Sequence, residues 1–124
     1  MPDILIRQAN IAANARVLPF GESGSNWKFR WCPYPRGLYT ILIKSDGAAG
    51  GLQHTVQIGT TEVVQLSDTS VGGTDGVIPT PDGANATPAH QFFAAQGDEV
   101  ILELRETGGL ATTDAMIWAN VEPA

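Results

Sequence analysis

The sequence predicts an all-β chain folded as a single β-sandwich. Three observations carry this: apolar residues recurring at every second position, glycine-rich turn segments between those runs, and the lack of a sustained 3.6-residue period. The 124 residues amount to one domain, residues 1–124, and a hydrophobic content of 43% supports a packed core. About eight short strands fit this length, which suggests a β-sandwich or small barrel. An eight-stranded jelly roll with long glycine/proline-rich loops is the first choice among these.

The elements follow in chain order. Asp3 to Gln8 alternates in part, with Ile4 and Ile6 on one face and Leu5 on the other; this strand either pairs within the sheet or adds to the sheet edge of a partner. Asn10 to Val17 offers Ile11, Ala15 and Leu18 as a helical stripe, but Asn10, Asn14 and Pro19 weaken it, and the β flanks favour strand or irregular structure. Tyr39 to Lys44 is almost continuously apolar or β-branched, as in a strand covered on both faces. Leu52, His54, Val56 and Ile58 share one face of the next run, against Gln53, Thr55 and Gln57. Glu62 to Leu66 is short and β-branched. Val100, Leu102 and Leu104 alternate with Ile101, Glu103 and Arg105, and Ala115, Ile117, Ala119 and Val121 alternate with Met116, Trp118 and Asn120.

Turn chemistry separates these runs. Ser45 to Gly51, Gln96-Gly97-Asp98 and Gly108-Gly109 all carry glycine, which reaches positive φ without a steric penalty. Ser67 to Pro88 holds four glycines and three prolines with no period, and reads as one long loop, the kind that is usually functional or mobile.

Composition excludes several classes. No apolar run approaches the ~20 residues of a membrane helix, so no membrane partner is expected. Met1-Pro2-Asp3 opens no basic and apolar leader, which predicts synthesis in the cytoplasm and leaves the acceptor-like triplet Asn85-Ala86-Thr87 without weight. A net charge of −6 disfavours nucleic acid. The charge is also divided. Residues 1–62 carry six basic against four acidic groups, a net of +2, and residues 63–124 carry Arg105 alone against nine acids, a net of −8. Ordinary solvation explains such clustering, and so does a surface with a basic and an acidic side.

No constellation for chemistry can be named, so an enzyme is not expected. His54 and His90 stand 36 positions apart, each more at home as a hydrogen-bonded structural residue than in a catalytic or zinc site. Cys32 has no histidine beside it and reads as a buried thiol; as the single cysteine it forms no internal disulfide. Asp68, Asp75 and Asp82 recur at seven-residue intervals, which match no calcium loop. Gly47-Ala48-Ala49-Gly50-Gly51 has neither the lysine nor the helix of a phosphate loop. No cofactor and no metal are expected.

The segment Asn26 to Arg36 is the most unusual. Read as a strand, it sets Trp27, Phe29 and Trp31 on one face and Lys28, Arg30 and Cys32 on the other, before Pro33 and Pro35 end it. Two uses compete: an aromatic platform for sugars or bases, and an aromatic face packed into the core or a subunit interface with its cations against an acidic neighbour. The alternation favours the second, and the candidate interface is Trp27, Lys28, Phe29, Arg30, Trp31, Tyr34 and Arg36.

Ala94 to Val100, followed by the alternating strand, resembles a turn of jelly-roll modules. In size, strand order and its cysteine-poor, Gly/Ala/Thr-rich composition, the whole chain resembles the cement or decoration proteins of tailed-bacteriophage capsids. That resemblance implies a non-enzymatic structural protein on the virion surface. It would be a homo-dimer or homo-trimer whose partner is the major capsid protein. It transfers no binding residue. The alternative is a carbohydrate-binding module of a phage tail or adhesin, using Trp27, Trp31 or Trp118.

Overall fold

The structure, a computed structural model, describes residues 3–12, 16–21, 27–45, 52–69, 90–106 and 112–124. These residues form eight strands: β1 (Asp3–Ala12), β2 (Arg16–Val17), β3 (Arg36–Ser45), β4 (Leu52–Ile58), β5 (Thr61–Asp68), β6 (His90–Ala95), β7 (Val100–Glu106) and β8 (Thr112–Pro123). A single 3-10 turn covers Lys28–Arg30. Two four-stranded antiparallel sheets result, one in the order β1-β8-β3-β6 and the other β2-β7-β4-β5.

The two sheets pack as a sandwich because the period-2 residues of both point into one core. β8 contributes Ala115, Ile117, Ala119 and Val121, all fully buried, and β7 contributes Val100, Leu102 and Leu104. Tyr39, Ile41 and Ile43 from β3 and Leu52 and Val56 from β4 complete the interior. β3 is covered on both faces along Ile41–Ser45, as its unbroken apolar sequence predicts, and it lies between β8 and β6. β1 takes the within-sheet option, pairing with β8 from Asp3↔Asn120 to Ala12↔Thr112 with a bulge between Gln8 and Ile11. Of Asn10–Val17, read as strand or irregular, the described residues lie in strands: the end of β1 to Ala12, and β2, which pairs with β7.

Several boundaries move. β5 runs on to Asp68, paired with Gln53, so Ser67 and Asp68 belong to a strand and not to the loop predicted over 67–88. Cross-strand pairing extends strands past the point where the local pattern fades. Thr69 closes the described run, and residues 70–88, including Asp75, Asp82 and Asn85, lie outside the described residues, as do Gly47–Gly51 and Gly108-Gly109. The β6–β7 turn falls where predicted: Gly97 has φ +88°, a conformation that side-chain-bearing residues seldom adopt. Asp98 locks the turn, donating its N–H to the Ala95 carbonyl and accepting from the Ala95 N–H through Oδ2, both at 3.0 Å.

Candidate functional site

The aromatic segment does not form the predicted strand. Lys28–Arg30 turns as a 3-10 helix, and among the described residues before Pro33 only Trp31 makes a ladder contact, an isolated bridge to Glu99. The turn rotates successive side chains by about 120° instead of 180°, so residues spaced by two leave the common face. Trp27 is 5% exposed and Trp31 48%. The sequence reading had put both on one buried face.

The inner half closes the core. Trp27 packs edge-on or tilted against Phe20 at 5.0 Å, Tyr39 at 6.2 Å and Phe29 at 6.3 Å between ring centroids. Tyr39 stacks on Phe92 at 5.6 Å and donates its hydroxyl to the Phe29 carbonyl at 2.6 Å. Burial, with the Cys32 thiol adding to it, pushes Tyr39 ionisation far above the usual phenol range. Cys32 is buried and free, as expected. Its Sγ donates toward the Ala94 carbonyl at 3.6 Å and the Tyr34 carbonyl at 3.4 Å. Gly37 permits this packing, because a Cβ there would meet Cys32 Sγ at 2.7 Å and Val121 at 3.0 Å.

The outer half runs along the β6 edge. Cys32 donates its N–H to the Asp98 carbonyl and accepts from Gly97, Arg36 stands opposite Ala95, and Leu38 opposite Phe93. Phe93, which the sequence reading did not single out, is 50% exposed, with the Arg36 guanidinium 3.9 Å from its ring centroid. Arg30 sits 5.8 Å from the Trp31 ring. Lys28 lies over Phe29 at 5.4 Å, and Tyr34 is half-buried. The Arg36–Phe93 pair therefore sits on the β3–β6 ladder, and the Arg30–Trp31 pair at the isolated bridge to Glu99. The alternation of β6 offered a signal for Phe93, since the Phe92–Phe93 doublet must turn one ring outward.

Arg30 is engaged within the chain. Its Nε bonds Glu99 Oε2 at 3.1 Å, and one terminal nitrogen reaches the carbonyls of Phe20 and Trp27 at 3.2 and 3.3 Å. This grip ties the 3-10 turn to the start of β7. Beside it lies a cleft of about 240 Å3 lined by Arg30, Glu99, Leu18, Phe20, Gly21 and the first residues of β7.

The two histidines, read separately from the sequence, meet. His54 Nε2 lies 2.9 Å from His90 Nε2, and His54 Nδ1 lies 2.9 Å from Thr69 Oγ1. Burial lowers the His90 pKa below its ordinary value. Two imidazoles do not complete a tetrahedral zinc site, and among the described residues no group of three or more His, Cys, Asp or Glu side chains is placed to hold a metal. Comparison of the chain with known family models, curated proteins and solved structures yields no match.

Proposed function

We propose that the chain is a capsid decoration protein, a jelly roll that bridges neighbouring major capsid protein subunits on a tailed-phage shell as a homo-dimer or homo-trimer. The jelly-roll reading is supported by the nesting of the pairs. β1 meets β8, β2 meets β7, β3 meets β6 and β4 meets β5, the pattern of one long hairpin rolled into two sheets. Capsid and lectin domains share that architecture.

The observation that carries the functional reading is the exposure of two large aromatic rings, Trp31 and Phe93, each beside an arginine. Aromatic rings and arginine are the residue types enriched where protein surfaces meet, and paired cation–ring contacts hold them ready for a partner. Lys28 and Arg36 supply the steering charge, while Arg30, tied to Glu99, contributes rigidity.

Co-sedimentation with empty shells of a tailed-phage major capsid protein tests this. The wild-type chain pellets with the shells and a Trp31→Ala/Phe93→Ala double variant does not; equal pelleting overturns the role of the two rings. Reversing the charges of Lys28 and Arg36 together slows association at low salt, and the deficit shrinks as salt rises. Sedimentation equilibrium of the free protein reads the oligomer.

One observation favours the carbohydrate-binding alternative. Trp31 is exposed next to Arg30 and Glu99, whose polar atoms line the neighbouring cleft. Retention on immobilised glycans that is lost in Trp31→Ala, without shell binding, selects that reading.

A further inference from the structure

We propose that His54, Thr69 and His90 form a pH-sensitive clasp that fastens the two sheets together at one end of the sandwich and opens on acidification. The placement comes first. His54 belongs to β4 in one sheet and His90 begins β6 in the other, so their Nε2–Nε2 contact of 2.9 Å joins the layers through a single hydrogen bond. Thr69 follows β5 and is fixed by its N–H to the Leu52 carbonyl at 2.8 Å. From there its hydroxyl meets His54 Nδ1. One imidazole thus gathers both ends of the connection that leaves after Thr69 and returns at His90.

The chemistry of two facing Nε2 atoms sets the response. One must donate and the other accept, so at least one must lack a proton. The neutral pair is satisfied in either tautomer of His54, because a threonine hydroxyl both donates and accepts. A single added proton is shared, since imidazolium donates to imidazole. A second proton leaves two N–H groups and two positive charges face to face, with ring centroids 4.8 Å apart. The contact then breaks.

The surroundings decide where this falls. On β7, His54 stands opposite Leu104, and Glu106, fully buried two residues further along, is the diagonal neighbour of His54 on the inward face. β6 and β3 turn Phe92, Ala94, Ile41, Ile43 and Ser45 inward, and none of these carries a charge. Lys44 lies on the opposite face of β3 from Ile43 and Ser45. On β5, the backbone register sets Ser67 against His54 and Asp68 against Gln53. The burial that holds the His90 pKa low acts in the same direction as the geometry.

The sign follows from linkage. With the folded pKa depressed, the unfolded chain binds more protons below about pH 6.5, so the clasp's contribution is fully present above that pH and is lost as pH falls below it. Urea unfolding of the full chain between about pH 8 and about pH 5 spans the histidine range. The wild-type ratio of folded to unfolded molecules is expected to fall by up to about tenfold per pH unit for each proton taken up. His90→Gln, whose amide does not titrate, is expected to flatten this slope; parallel slopes overturn the clasp. If that variant fails to fold, ring-nitrogen NMR of the wild-type protein decides. Two coupled titrations, with His90 below the ordinary histidine value, support the clasp. Two independent titrations at the ordinary value overturn it.

Discussion

Removing Trp27 is expected to cost far more stability than removing Trp31, although the two residues stand four positions apart in the same aromatic segment. Trp27 is 5% exposed and touches three aromatic rings, those of Phe20, Tyr39 and Phe29. Truncating a buried tryptophan to alanine costs about 3–5 kcal/mol, from lost transfer energy and the cavity left behind. Each tilted or edge-on ring contact accounts for about 0.5–1.5 kcal/mol beyond area. A domain of this size has roughly 5–15 kcal/mol in total, so Trp27→Ala consumes a large share of it. Trp31 is 48% exposed and its ring packs on the Arg30 side chain, so Trp31→Ala stays near the ~0.5 kcal/mol of a surface change. The alternation that sets Trp27 and Trp31 on one packed face would instead make both substitutions costly. Urea titration followed by far-UV circular dichroism reads both variants without relying on the tryptophan signal. If Trp27→Ala is too unstable to purify, Trp27→Phe shows the same order at smaller amplitude. Losses equal within about 1 kcal/mol would refute the division of the segment into an inner and an outer half.

Other outcomes follow from the same geometry. Gly37→Ala drives a methyl group to 2.7 Å from Cys32 Sγ and is expected to destabilise by about 1–3 kcal/mol, with part recovered in a Gly37→Ala/Cys32→Ala double variant, both read by urea midpoints. A double-mutant cycle of Arg30→Met and Glu99→Gln is expected to give a coupling of roughly 0.5–1.5 kcal/mol, since the pair is partly screened by solvent; additive single effects would mean that the bond contributes nothing. Tyr39 has a folded pKa raised above its ordinary value of 10.0, so the stability it contributes is complete below that pH and is lost as pH rises through it. Tyr39→Phe should therefore reduce the loss of stability on the alkaline side, and an unchanged alkaline profile would show that Tyr39 ionises freely in the folded chain.

Much of the fold was legible because strand periodicity is a property of the backbone. Every second side chain of Ala115–Val121 must point one way, and the same holds for Val100–Leu104, so the sequence already identifies the core faces of β8 and β7. The unbroken apolar run of β3 likewise announces a strand covered on both sides. The candidate site was legible only as composition: the segment rich in tryptophan and arginine was recognised, and Trp31 and Arg36 do lie on the surface.

Which ring faces inward was decided by the 3-10 turn at Lys28–Arg30, and no local pattern distinguishes that turn from a strand with the same alternation. Arg30 with Glu99 and Arg36 with Phe93 lie far apart in sequence and meet because the start of β3 runs alongside the β6–β7 turn. The His54–His90 contact depends on both sheets at once, since each histidine alone is an ordinary strand residue. Within the strands, local sequence determined which residues face the core, because burial there follows a two-residue rhythm fixed by backbone geometry. Tertiary structure decided which residues meet, because the distance between two strands is set by the register and closure of the whole sandwich, to which every other strand contributes.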